Sequence, residues 1–275
     1  MRKLLLILVI GVLLFTVCAI ATSTEPTPAP APTTPTPAPI TPTPAPITPT
    51  PAPITPTPAL SFTKTFGGEN DDVAFSVQQT TDGGYIIAGR TESFGAGGWD
   101  AYLVKIDKEG NEEWYQTFGG EERDAAWTVQ QTTDGGYIIT GFTMSFGAGS
   151  SDVYLVKTDG EGNEEWSRTF GGEAYDTAYA GQQTADGGYI LAGVTTSFGA
   201  GGYDTYLVKI DEEGNEEWSR TFGGEANDIV YSVQQTADGG YVIAGDTESF
   251  GAGGWDIYLV KTDGEGNEEW SRTFG

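Results

Sequence analysis

Four aspartates, Asp100, Asp152, Asp204 and Asp256, recur 52 residues apart, and three of them directly follow an aromatic residue, Trp99, Tyr203 or Trp255. An aromatic face stacks on the apolar side of a sugar ring, and a neighbouring carboxylate accepts hydrogen bonds from its hydroxyls, so these pairs suit carbohydrate recognition. A second set at the same spacing, Asp71, Arg123, Tyr175 and Asn227, offers a different charge or ring in every copy. A third, Arg90, Phe142, Val194 and Asp246, varies in the same way. Asp71, Trp99, Asp100, Arg123, Tyr175, Tyr203, Asp204, Trp255 and Asp256 are the candidate binding residues, for a glycan or a protein.

Other chemistry fares less well. Asp107-x-Glu109-x-Asn111 and Asp159-x-Glu161-x-Asn163 place oxygens at alternate positions, as a calcium loop does, but lack the bidentate Glu that closes an EF-hand. Asp and Asn also favour turns for their own backbone hydrogen bonds, so a turn is the reading and calcium the alternative. Phe94-Gly95-Ala96-Gly97-Gly98 has the glycines of a phosphate cradle without a following Gly-Lys-Ser/Thr. Paired carboxylates can run glycoside hydrolysis, but every candidate carboxylate for such a pair is repeated four times, and an active site needs a unique asymmetric set. The sequence therefore reads as a non-enzyme with no catalytic residue, no metal site and no cofactor. It contains no His, and its one Cys is Cys18 in an apolar stretch, which removes imidazole catalysis and a disulfide framework. With 39 Asp and Glu against 13 Lys and Arg, the net charge of −26 excludes a nucleic-acid partner and disfavours any anionic one.

The elements that must hold these residues come from the repeat itself. Phe66, Phe118, Phe170, Phe222 and Phe274 are 52 residues apart, each between Thr and Gly, and Trp114, Trp166, Trp218 and Trp270 keep the same period. A gapless period near 50 marks a repeat array whose units cannot bury their apolar faces alone. The units span 67–118, 119–170, 171–222 and 223–274 within a domain over 61–275. The last two differ at only 13 of 52 positions, so a residue shared by all four reflects duplication before it reflects function.

In one unit, alternating apolar residues predict a strand over Val73–Thr80. Thr81-Asp82-Gly83-Gly84 forms a tight turn, and strands follow over Tyr85–Thr91, Ala101–Ile106 and Glu113–Phe118. Glycine at this density penalises helix. Four short antiparallel strands per unit predict an all-β, β-propeller-like fold of four four-stranded blades, with Trp114 and its copies packed between blades. The second-to-third and fourth-to-first connections then share one face, because antiparallel strands alternate direction.

Tyr-Leu-Val-Lys-Ile-Asp-x-Glu-Gly-Asn-Glu-Glu-Trp at 206–218 resembles the third-to-fourth strand hairpin of quinoprotein-type propellers. The whole unit, around Asp-Gly-Gly-Tyr-Ile-Ile-Ala-Gly at 82–89, resembles tandem repeats of archaeal and bacterial cell-surface proteins. The resemblance covers 61–275 and implies a propeller fold and a surface setting. It transfers no cofactor-contacting residue.

Residues 1–24 read as a signal peptide or N-terminal membrane anchor. Arg2-Lys3 precede about eighteen uncharged residues ending in Ala19-Ile20-Ala21, and cleavage, retention and lipidation at Cys18 remain alternatives. All three place the rest outside the cytoplasm, secreted or at the cell surface, touching membrane only through the leader. Residues 25–60 hold all 15 prolines, from Pro26 to Pro58. They predict a polyproline II stalk of roughly 100 Å at about 3.1 Å per residue, open to glycosylation on its threonines.

Blade closure is a matter of counting. Phe62–Phe66 aligns with Trp114–Phe118, so four units come with five copies of the fourth strand. A compact four-bladed ring with one spare strand is the expectation, and an open propeller that pairs as a homodimer is the alternative. The chain stops inside Phe-Gly-Gly-Glu, as a longer array cut short would. The expected role is an extracytoplasmic structural or interaction module that displays a loop face on a stalk. An enzyme of the quinoprotein-like superfold is the alternative.

Overall fold

The computed structural model describes residues 63–275. The leader and the stalk, residues 1–60, lie outside the described residues. The chain forms sixteen strands in four antiparallel sheets of four consecutive strands each. The first blade holds β1 (Asp72–Gln79), β2 (Tyr85–Thr91), β3 (Asp100–Ile106) and β4 (Glu112–Phe118). The second holds β5 (Asp124–Gln131), β6 (Tyr137–Thr143), β7 (Asp152–Thr158) and β8 (Glu164–Phe170). The third holds β9 (Asp176–Gln183), β10 (Tyr189–Thr195), β11 (Asp204–Ile210) and β12 (Glu216–Phe222), and the fourth β13 (Asp228–Gln235), β14 (Tyr241–Thr247), β15 (Asp256–Thr262) and β16 (Glu268–Phe274). The four-bladed, all-β expectation holds, with strand limits within a residue of those the sequence suggests.

Local chemistry accounts for each hairpin. Between β1 and β2, Gly83 takes φ +89°, and Asp82 Oδ1 accepts from Gly84 N (2.9 Å) and Thr80 Oγ1 (2.5 Å). The other Asp82 oxygen meets Lys105 Nζ at 2.9 Å, and the same ammonium meets Glu113 Oε2 at 2.7 Å. One buried lysine therefore ties the first turn, the third strand and the fourth strand together. Lys157, Lys209 and Lys261 repeat the clamp with Asp134 and Glu165, Asp186 and Glu217, and Asp238 and Glu269. Asp107 accepts from Asn111 N and Asn111 Nδ2, both at 2.8 Å, which makes the Asp-x-Glu-x-Asn segment a turn locked by its own side chains.

The core sits between blades. One face of each sheet packs on the opposite face of the next: Ile86, Ala88, Ala101 and Leu103 of the first meet Ala126, Tyr137, Ile139, Tyr154 and Val156 of the second. The second and third blades, and the third and fourth, repeat this seam. Trp114, Trp166 and Trp218 close the seams edge-on against Tyr137, Tyr189 and Tyr241, each at 5.8 Å between ring centroids. The first strands β1, β5, β9 and β13 touch in succession and form the innermost layer.

The compact ring is corrected by this structure. The strand packing that joins consecutive blades is not repeated between the first and the fourth among the described residues. The spare copy of the fourth strand forms no strand from residue 63 onward, and Phe66 instead packs on the open face of the first blade. Each seam is used up between sequence neighbours, and one chain supplies three.

Candidate binding face

The two variable connections do share a face, and they bond to each other. Asp124 N donates to Trp99 O (2.7 Å) and Gly98 N to Glu122 O (3.2 Å), so the loop before β3 lies on the connection into β5. Asp176 N on Ser151 O (2.8 Å) and Asp228 N on Tyr203 O (2.6 Å) repeat the arrangement. This lattice sets Arg123 beside Trp99, Tyr175 beside Ser151 and Asn227 beside Tyr203, while Asp71 and Trp255 lie at the two ends of the array and outside it.

The side chains at these positions divide. Trp99 has little free ring surface: the Arg90 guanidinium lies 3.4 Å and that of Arg123 4.5 Å from its ring centroid, and its Nε1 donates to Glu92 Oε1 at 2.5 Å. Trp255 and Tyr203 stand exposed, and Tyr203 meets Tyr175 edge-on at 5.9 Å. Burial raises the Tyr175 hydroxyl pKa. Asp71 is exposed and serves through its carbonyl, which accepts from Glu92 N at 2.9 Å.

The paired aspartates need correcting. Asp100, Asp204 and Asp256 are buried, and their carboxylates accept loop amides: Ala96 N (3.1 Å), Ala200 N (3.0 Å) and Ala252 N (2.8 Å). They are anchors of the glycine-rich loops and are almost wholly withdrawn from solvent. Burial, reinforced by Asp124 and Asp228 across the seam, pushes Asp100 and Asp204 above the usual carboxylate range.

Sequence reasoning missed the most contiguous aromatic surface. Phe75, Trp127, Tyr179 and Tyr231 occupy one repeat position on the innermost strands and form a row, with successive ring centroids 4.4, 6.2 and 5.9 Å apart. In all four blades this residue is the β-bulge, skipped by the register between strands one and two. A bulge re-aims its extra side chain out of the strand's alternation. Opposite it lies a glycine for a steric reason: a Cβ on Gly89, Gly141, Gly193 or Gly245 would sit 1.8–1.9 Å from the carbonyl oxygen of Val73, Ala125, Thr177 or Ile229. Glycine inside a strand was the available signal.

Around the row lie polar groups that change from blade to blade. Trp127 Nε1 donates to Thr177 Oγ1 at 3.3 Å, and Phe142 stands 5.9 Å from the Trp127 ring. The Tyr175 and Tyr179 hydroxyls each act on the other's titration, which brings the row up to the loop face. Burial raises the Asp246 carboxyl, whose charge acts on the Tyr231 hydroxyl. Rings with free edges beside single hydroxyls, carboxyls and guanidinium groups can stack on and hydrogen-bond a neutral polyhydroxylated ligand.

The fold is a tandem-repeat, β-propeller-like scaffold of four four-stranded blades. No protein-family pattern matches the chain. It is 24% identical over 223 residues to the regulatory protein FlaEY of Caulobacter vibrioides, an alignment covering 68% of this chain and 23% of that protein. The chain thus spans about a quarter of that relative's length.

Proposed function

We propose that this chain is an extracytoplasmic interaction module, held at or near the cell surface by its leader and stalk, that binds a neutral glycan along the inner aromatic row and the adjoining loop face. One observation carries the reading: every blade bulges at the same place to present an aromatic ring, which is Phe, Trp, Tyr and Tyr in turn over an otherwise repeated scaffold. A rigid scaffold that varies its presented side chains is the usual arrangement for recognition. The acidic composition favours a neutral ligand over an anionic one. Likeness to a protein named as regulatory supports recognition rather than catalysis.

The test is a glycan array probed with the full-length chain in detergent. Neutral oligosaccharides should be retained, and Trp127→Ala should weaken retention by about tenfold, near 1.4 kcal/mol. Retention of acidic glycans alone, or indifference to both Trp127→Ala and Tyr179→Ala, would sink the proposal. The surface setting has its own test: protease added to intact cells should release the repeat domain.

A further inference from the structure

The two end faces of the array are complementary by construction. The seam surface of the first blade that looks away from the second carries Tyr85, Ile87, Tyr102 and Val104, and among the described residues Phe66 and Phe94, but no blade, pack against it. These are the repeat equivalents of Tyr137, Ile139, Tyr154 and Val156, which receive the first blade. At the other end, the outer face of the fourth blade repeats the donating surface of the third. The cost of leaving both open is visible. Val77 is 54% exposed where its equivalent Val129 is 7%, and Ile257 is 53% exposed where Ala101 and Val153 are 1%. Phe274 is 53% exposed where Phe118, Phe170 and Phe222 are 7–9%.

The polar parts of the seam are equally unspent. Inside the array, Gln131, Gln183 and Gln235 donate their backbone N–H to Gln78, Gln130 and Gln182 Oε1 at 2.6–3.0 Å. In return Gln131, Gln183 and Gln235 Oε1 accept from Thr81, Thr133 and Ala185 N at 2.8–2.9 Å. Gln79 already holds the receiving pose, its Nε2 on Gly83 O at 3.4 Å as Gln131 holds Gly135 O, but no blade faces it. Gln234 and Ala237 are the matching groups on the fourth blade. Arg168 and Arg220 Nη2 reach Glu213 O and Glu265 O in the next blade at 3.0 Å. Arg272 keeps the same Nη1 bond to its preceding serine carbonyl, and its repeat partner is Glu109 O. Trp270 likewise finds its repeat partner in Tyr85.

We propose that a second copy of this chain docks head to tail, the fourth-blade face of each on the first-blade face of the other, to close an eight-bladed ring. The occupant follows from continuity with the seam already present three times within one chain. Heterologous contacts form rings when the rotation closes, and two copies give eight blades, the upper end of the ordinary propeller range. Closure also removes two apolar faces of the kind that soluble proteins seldom leave open.

The test is the particle mass of the full-length chain in non-ionic detergent, by sedimentation with the detergent density-matched. The expected mass is that of two chains. Val77→Arg and Ile257→Arg lie on opposite ends at positions exposed in the single chain, so each leaves its own blade intact, and each should return the mass of one chain with an unchanged β-sheet circular dichroism spectrum. Met144→Arg, on an exposed loop side chain of the second blade, should leave the two-chain mass. A one-chain mass for the unaltered protein overturns the proposal. So does a two-chain mass that survives either end substitution, as association through the leader would, and so does open-ended polymer.

Discussion

Lys157 Nζ lies 2.9 Å from Asp134 Oδ2, yet the two groups are unequally buried: the lysine side chain is 4% exposed and the aspartate 57%. Removing the lysine frees two carboxylates that water already reaches. Removing the acids strands an ammonium inside the blade. Buried charges left unpaired are the costly case, about 3 kcal/mol or more, whereas loss of a pair with solvated partners costs about 1 kcal/mol. Lys157→Met should therefore lower unfolding stability less than Asp134→Asn combined with Glu165→Gln, measured by denaturant titration. The reverse order would show that the clamp works through the acids.

Acid should first stabilise this protein and then unfold it. Burial holds the Asp100, Asp152 and Asp204 carboxyls above the usual range, so each costs stability when ionised, and that cost disappears as pH falls through the raised values toward 3.8. Burial also opposes ionisation at Asp134, but the Lys157 ammonium and Thr132 hydroxyl outweigh it and hold its pKa at about 2. For Asp238 the Thr236 hydroxyl and Lys261 give the same value, about 2. Their contribution is complete above 3.8 and is lost as pH falls from there toward 2. The melting temperature should rise from pH 7 to a maximum near pH 4 and drop below it. A steady decline from neutrality would show that the loop-anchoring aspartates are not strained.

Two glycines in one blade should respond differently to alanine. A methyl group on Gly141 would sit 1.9 Å from Ala125 O, and only displacement of the bulge relieves it. Gly135 has φ +92° and nothing within 4 Å of its added carbon. Gly141→Ala should cost about 3 kcal/mol and alter the near-ultraviolet signal of Trp127. Gly135→Ala should cost about 1 kcal/mol, the left-handed penalty alone, and leave that signal unchanged. Equal costs would mean that the bulge is not what glycine is for.

Added salt should raise the melting temperature, because a net charge of −26 opposes compaction. Calcium chloride and sodium chloride at matched ionic strength should act alike if screening is the cause. A rise confined to calcium at millimolar concentration would reveal a bound cation.

Much of this architecture was legible in the sequence because its signals are local. Apolar alternation from Val73, the Asp82-Gly83 turn and the Asp107–Asn111 turn each depend on residues a few positions apart. Trp99 was misjudged because its partners are not local: Arg90 approaches from β2 and Arg123 from the connection to the next blade, and no spacing rule announces a ring between two guanidinium groups. Asp100 was misjudged for the complementary reason. A carboxylate beside an aromatic looks available until the loop before it turns its amides inward. The aromatic row was hidden in plain alternation, since Phe75 reads as an ordinary strand residue until Gly89 is recognised as the mark of a bulge. Closure depends on the angle between sheets, which no residue pattern encodes.

Every junction between blades uses the glutamine, tryptophan and phenylalanine of one unit against the glutamine and tyrosine of the next. A unit excised at such a junction leaves two surfaces that already fit, and a unit inserted there meets a fitted surface on both sides. Unequal recombination between the near-identical segments at 171–222 and 223–274 would therefore yield folded longer or shorter arrays without any compensating substitution. Blade number in this lineage is a length that copying errors can change in a single event, and the side chains on the inner row can then diverge one unit at a time.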